Sequence, residues 1–378
     1  MEQKLHAGSI KAPIDAWLDL IHSDMPEKDL VAGLRNIYKY PMPGIAEIIL
    51  ESYCPNNCRH CIYPPDYHSF NSTLSAENWT VILGKLYMTI GLRKYVFSGR
   101  SLNEKGISII SNFKKKFPDI EVGIICDGRT IEPFVDKVIQ LAPDWVDMSV
   151  DGLEKDHDLQ RNDAGAFQKT MSVLRQLKDS GVIKKVNILT CLTTLNINSV
   201  LDMIETLNNM GFKNFFVAPV TVLEGHRPDP NLAPKMEDLI QFVDAMISRS
   251  KGYYDAWVEL DIYERQYAGG IKQLRPGLFA EFIPVGEHLE YITKIGNNEI
   301  HISYYQSSLT GFRELIINSD GTIALPKAMA MGKIPEECIF GNVSNPGEII
   351  GILDTFTYKE AFSFYENEFL QEKHILGH

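Results

Sequence analysis

From residue 45 onward, short β-type runs alternate with longer stretches whose apolar residues recur at helical spacing. Strands are expected at 45–50, 94–98, 121–126, 145–150, 184–192 and 213–219. Helices are expected between them, at 75–90, 103–116, 131–141, 164–180 and 197–210, with another at 234–249. Strands and helices alternating at this spacing form βαβ units and a parallel sheet. Six such units suit a partial (β/α)6 barrel or an open doubly wound sheet, and the pattern alone does not choose between them. Two amphipathic helices precede this region, over Ile14–His22 and Lys28–Tyr38, and Tyr40-Pro41-Met42-Pro43-Gly44 ends the second. Beyond about residue 295 the pattern turns antiparallel. Glu299–Tyr305 alternates, and Glu314–Ile317 leads through Asn318-Ser319-Asp320-Gly321 into Thr322–Leu325, with a helix expected near 345–366. The expected organisation is a helical segment at 1–44, an α/β partial barrel at 45–250, and a small α+β extension at 251–378.

Strand parity adds chemistry to this frame. In 145–151, Val146, Met148 and Val150 share one face, while Asp147, Ser149 and Asp151 share the other. In 186–193, Asn187, Cys191 and Thr193 lie opposite Val186, Ile188, Thr190 and Leu192. Barrel strands turn apolar residues toward the helices, so Ser149, Asp151, Cys191 and Thr193 are expected to face the lumen. The loop at 223–235, with Glu224-Gly225-His226-Arg227, follows the sixth strand and is expected either at the barrel mouth or as a plain surface connection.

Composition narrows the class. The chain has 378 residues, 44% of them hydrophobic and 23% charged, which is ordinary globular composition and excludes a disordered or collagen-like protein. No apolar run approaches the ~18–20 residues that span a bilayer. The N-terminus lacks an apolar segment with a small-residue cleavage site, so a cytoplasmic location is expected. The net charge of -12 argues against a broad nucleic-acid surface, because phosphate neutralisation needs clustered Lys and Arg.

The six cysteines are unevenly spread. Cys54, Cys58 and Cys61 form a C-x3-C-x2-C run; the other three are far apart. Three thiolates on one loop can each hold a corner of a 4Fe–4S cluster and leave the fourth iron open to a small molecule. Three other readings remain: a zinc site completed by His60 or His68, a redox dithiol at Cys58 and Cys61, or buried structural thiols.

The Cys54–Cys61 loop, with His60 at the aromatic position, resembles the signature of the radical SAM superfamily. The resemblance extends to Met148-Ser149-Val150-Asp151-Gly152, then His157-Asp158, Arg161 and Gly165-Ala166-Phe167, a run similar to the SPASM and twitch branches. It implies a partial (β/α)6 barrel with a SPASM/twitch-like extension, one 4Fe–4S cluster on Cys54, Cys58 and Cys61, and S-adenosylmethionine as cofactor. It further implies that Ser149 and Arg161 hold the carboxylate or ribose of that cofactor, with His60 and Asp151 in the same site. The segment Phe97-Ser98-Gly99-Arg100 stands where the family carries Gly-Gly-Glu-Pro. Gly99 keeps the close backbone approach, with Ser98 beside it as a cofactor-binding candidate, whereas Arg100 replaces an acid and cannot pair with an ammonium. Asp127, in Cys126-Asp127-Gly128, lies where the family has a Thr-Asn-Gly turn, facing the ligand or shaping the turn.

In the SPASM/twitch-like extension only Cys338 remains, and one cysteine cannot ligate a cubane, so no auxiliary cluster is expected. Without that second electron exit, redox-neutral outcomes gain weight: epimerisation, elimination, rearrangement or decarboxylation. Cys191 is the leading hydrogen donor and Cys338 the second. The expected substrate is a small polar metabolite (a sugar, nucleoside or amino-acid derivative). The alternative substrate is a ribosomal peptide, and a flavodoxin- or ferredoxin-type protein is the expected reductant. No nucleic-acid or membrane partner is expected. A reading of a different class is a non-catalytic metal-binding scaffold.

Overall fold

The computed structural model describes residues 12–37, 44–51, 53–63, 74–98, 102–222, 228–286, 288–306, 308, 314–324, 339–342 and 355–377. The six expected strands are all present: β1 (Ile45–Ile48), β2 (Lys94–Ser98), β3 (Glu121–Cys126), β4 (Trp145–Ser149), β5 (Val186–Leu192) and β6 (Asn214–Pro219). Each pairs with the next in parallel; Ala46, for example, lies opposite Tyr95.

Helices occupy the crossovers. N-terminal α1 (Ala12–Ile21) and α2 (Glu27–Ile37) precede the sheet. Then come α3 (Ala76–Lys85), α4 (Glu104–Lys116), α5 (Gly128–Ile131), α6 (Val135–Leu141), α7 (Glu154–Arg161), α8 (Ala166–Ser180), α9 (Val200–Asn209) and α10 (Met236–Arg249). Helix α7 falls outside the sequence expectation because Glu-Lys-Asp-His-Asp-Leu-Gln-Arg offers no apolar stripe to detect. Helix α8 begins where expected, at Ala166, after Gly165, whose φ of 85° lies in the left-handed region that glycine tolerates without a Cβ clash.

The parallel sheet does not stop at six strands. β7 (Trp257–Ile262) pairs in parallel with β6. Its inward positions are occupied by Glu259 and Asp261, which hide it from a search for apolar runs. After α11 (Arg265–Leu274) and α12 (Pro276–Phe279) come β8 (Ile283–Val285), β9 (His288–Ile295) and β10 (Asn298–Tyr304). The antiparallel expectation at 299–305 needs correction: β10 is antiparallel to β9 but parallel to β7. At the other edge β11 (Glu314–Ile317) lies parallel to β1 and forms the expected hairpin with β12 (Thr322–Ala324), which β13 (Ile339–Asn342) extends. The described strands thus form one 13-stranded sheet in the order β13-β12-β11-β1-β2-β3-β4-β5-β6-β7-β10-β9-β8. The last helix, α13, spans Thr355–Leu376 rather than 345–366; residues 343–354 lie outside the described residues.

Val146, Met148, Val150, Ile188 and Leu192 are all fully buried on the helix side, as parity required. The terminal helices close over one end. Trp17 of α1 meets Phe369 of α13 edge-on at 6.3 Å, its indole N–H donates to Ser308 Oγ at 2.8 Å, and Lys373 donates to the Ile21 carbonyl at 2.8 Å. Among the described residues no helix is long and apolar enough to cross a membrane.

Candidate active site

The inner faces of β1 to β7 curve around one cavity of about 510 Å3 at the C-terminal ends of the strands. Cys54, Cys58 and Cys61 line it, on the loop that follows β1. Opposite them the sheet contributes Ser98, Asp127, Ser149, Asp151 and Cys191, and α7 contributes Arg161. The expected site residues therefore share one space, apart from Gly99 and Arg100, which lie outside the described residues with His68, Glu224, Arg227 and Cys338.

Asp151 is the hub. Its carboxylate accepts Arg161 Nε–H at 2.6 Å on Oδ2 and the Cys191 backbone N–H at 3.0 Å on Oδ1. Its own N–H donates to His157 Nδ1 at 3.0 Å, and its carbonyl accepts from Asn196 at 2.7 Å. Burial favours the neutral acid and is the largest single influence, but Arg161, His60, His157 and the Cys191 N–H together outweigh it and hold the carboxyl below the ordinary Asp range. Burial likewise works against the Arg161 charge, and Asp151 more than restores it. The second arm of the guanidinium reaches Cys58 Sγ at 3.9 Å.

Cys191 is held by its backbone on both sides. Besides the Asp151 contact, its carbonyl accepts from Gln160 Nε2 and from Asn196 Nδ2, each at 2.8 Å. Burial pushes its thiol well above the usual range, which keeps it as S–H. Thr193 lies past the end of β5 and does not line the cavity; its hydroxyl is spent on Gln160 Oε1 at 2.6 Å. Gln160 also accepts Arg59 N–H through its carbonyl at 2.9 Å, tying the cysteine loop to β5.

Asp127 shapes the turn, as one of its two expected roles required, and also lines the cavity. Its Oδ1 caps α5 by accepting from the N–H groups of Arg129 and Thr130, and its Oδ2 accepts Asn56 Nδ2 at 2.6 Å, which pins the cysteine loop. A Cβ on Gly128 would stand 2.3 Å from Thr170 Cα, so this turn requires glycine. The half-buried His60 lies 4.0 Å from Asp151 with its enclosed Nδ1 unpartnered, and desolvation lowers its pKa to about 4, which leaves the ring neutral.

The cavity also exposes residues that sequence reasoning missed: Glu47 on β1, and Asp261 and Tyr263 at the end of β7. The alternation Val-Glu-Leu-Asp-Ile at 258–262 was their available signal. Gln160 and Asn196 had none, since their value lies in contacts across the fold.

The thiol spacing discriminates among ligands. Among the described residues, the His, Cys and carboxylate trio whose ligand atoms come within 4.8 Å of one another is Glu259, His288 and Glu290, not the three cysteines. Those sulfurs are thus too widely set to clasp one zinc ion, whose sulfur ligands sit at ~2.3 Å. A cubane offers each thiolate its own iron and so does not require the three sulfurs to converge on one ion. A redox dithiol fits poorly, because burial pushes the Cys58 thiol up to about 12 despite Arg161.

Residues 48–207 match the family model of the Radical SAM superfamily, a span from β1 through most of α9. The chain carries a radical SAM domain, and so it is an enzyme. Enzymes of this family use a 4Fe–4S cluster and S-adenosylmethionine. Among solved structures, the radical SAM fold recurs in Streptococcus suis SuiB bound to precursor peptide SuiA, with 13% identity, a TM-score of 0.61, and cover of 90% of this chain and 73% of that one. It recurs in anSMEcpe with bound AdoMet and Cp18Cys peptide, with 15% identity, a TM-score of 0.55, and cover of 86% and 84%. At these identities the likeness is one of fold. No curated protein matches the chain.

Proposed function

We propose that this radical SAM enzyme abstracts a hydrogen atom from a small polar metabolite and completes a redox-neutral step: epimerisation, elimination, rearrangement or decarboxylation. The observation that carries this reading is the convergence of the three-thiol loop, Arg161 and the Cys191 thiol on one cavity. Bound there, a 4Fe–4S cluster and S-adenosylmethionine supply a 5′-deoxyadenosyl radical after one-electron reduction by a flavodoxin- or ferredoxin-type protein.

The chain's own residues divide the remaining work. Cys54, Cys58 and Cys61 are the cluster ligands, and Asn56 holds their loop against Asp127. Arg161 presents a planar guanidinium to the cofactor carboxylate, oriented by Asp151, while Ser149, Ser98 and His60 line the same wall. Cys191 keeps its S–H and a fixed backbone, the two properties a hydrogen-atom donor needs. Cys338, the single cysteine of the C-terminal extension, is too few for an auxiliary cluster, which supports a step with no net loss of electrons. An open cluster is oxygen-labile, so a reducing compartment such as the cytoplasm fits this chemistry.

A second reading is modification of a ribosomal peptide, by epimerisation or crosslinking. It is favoured by the peptides held by SuiB and anSMEcpe in the structures of similar fold. Anaerobic enzyme with S-adenosylmethionine and dithionite separates the two. A small-molecule extract that raises 5′-deoxyadenosine formation above background supports the metabolite reading. A rise confined to the peptide fraction replaces it with the second.

A further inference from the structure

We infer that Glu259, His288 and Glu290 form a site for a first-row divalent metal ion, with Asp261 as the adjoining carboxylate. Glu259, His288 and Glu290 do not line the cavity of the cysteine loop, although Asp261 does, and the inference does not depend on the function proposed above.

The geometry comes from three neighbouring strands. Glu259 and Asp261 alternate on β7, Ser303 of β10 lies opposite both Asp261 and Glu290 in register, and His288 opens β9. One ligand atom from each of Glu259, His288 and Glu290 lies within 4.8 Å of the other two, and His288 Nε2 stands 3.6 Å from Glu290 Oε2. The three carboxylates are 5%, 4% and 9% exposed for Glu259, Glu290 and Asp261.

Buried carboxylates need an opposing charge or a proton. No Lys or Arg among the described residues pairs with any of these three. Glu259 accepts only neutral donors: Ser303 Oγ at 2.6 Å, Tyr305 OH at 3.1 Å and Trp257 Nε1 at 2.9 Å. Glu290 faces two imidazoles, His301 hydrogen-bonded to it and His288 at 3.6 Å, and accepts from Ser303 at 3.3 Å. Independently of this cluster's own bonds, Asp261 Oδ1 is enclosed and has no partner, two residues along the same strand face from Glu259.

The supporting groups have the form of an outer ligand shell. His301 stacks on Trp257 at 3.7 Å between ring centres and orients Glu290, while His288 stacks on Tyr305 at 4.7 Å. One imidazole nitrogen with carboxylate oxygens suits Mn, Fe or Zn better than Mg, which takes oxygen ligands, or Cu(I), which takes sulfur.

The test uses the full chain with its cluster in the oxidised, EPR-silent state. Mn2+ titrated anaerobically and followed by the loss of its free EPR signal is expected to fill about one site per chain and to be displaced by Zn2+. His288→Gln and Glu290→Gln are each expected to weaken Mn2+ binding about tenfold or more. His288 is partly exposed, so its variant carries the test if Glu290→Gln does not fold. Absence of Mn2+ and Zn2+ binding to the wild type overturns the inference. So does binding that His288→Gln leaves unchanged, or stabilisation of the fold by methylammonium but by neither metal.

Discussion

Arg161 Nε donates to Asp151 Oδ2 at 2.6 Å, and their side chains are only 11% and 0% exposed. A charge pair so enclosed is worth little as stability, but removing one partner strands the other charge in a low-dielectric site. Arg161→Ala is therefore expected to cost about 3–5 kcal/mol, read by chemical denaturation, and to abolish S-adenosylmethionine binding. Arg161→Lys restores the charge without the planar fork and is expected to recover stability more than cofactor affinity.

Cys191→Ala keeps the Asp151, Gln160 and Asn196 bonds, which all go to its backbone. The variant is expected to fold like the wild type and to form 5′-deoxyadenosine in the presence of substrate. Its turnover to product is expected to fall at least about tenfold, equivalent to about 1.4 kcal/mol of barrier. Product formed at the full rate removes Cys191 from the donor role.

Asn56→Ala frees Asp127 Oδ2 from the cysteine loop while leaving Oδ1 on the α5 cap. The loss of one partly buried, charge-assisted hydrogen bond is expected to cost about 1.5–3 kcal/mol. Iron retention per chain after reconstitution, measured against the wild type, is expected to fall with it.

Glu314, on the strand beside β1, provides a pH signature. Burial, reinforced by Glu47, raises its pKa to about 7 in the fold, from 4.5 when unfolded. Between those values the native state holds a proton that the unfolded state has released. Stability is therefore fully present below about pH 4.5, falls as pH rises toward about 7, and is level above that for this group. Glu314→Gln is expected to flatten the wild-type decline, which is on the order of 3 kcal/mol, in denaturation series across that range.

The parts of the fold visible in the sequence are those where one period dominates. Strands β4 and β5 stand out because Val146, Met148, Ile188 and Leu192 mark an apolar face. β7 escapes because Glu259 and Asp261 interrupt it, and α7 because it covers the sheet's end with charges rather than an apolar stripe. The site follows the same division. Cys54, Cys58 and Cys61 are adjacent in sequence, and parity turns Ser149, Asp151 and Cys191 inward. Gln160 and Asn196 meet Cys191 from separate elements, so no local pattern announces them.

Iron analysis joined to cofactor cleavage tests the central claim most directly. Anaerobically reconstituted wild-type chain is expected to be brown, with about four irons per chain, and to convert S-adenosylmethionine to 5′-deoxyadenosine when dithionite is added. Cys54→Ala, Cys58→Ala and Cys61→Ala are each expected to lose both properties. A colourless chain holding stoichiometric zinc on these cysteines, with no 5′-deoxyadenosine formed, would contradict the account.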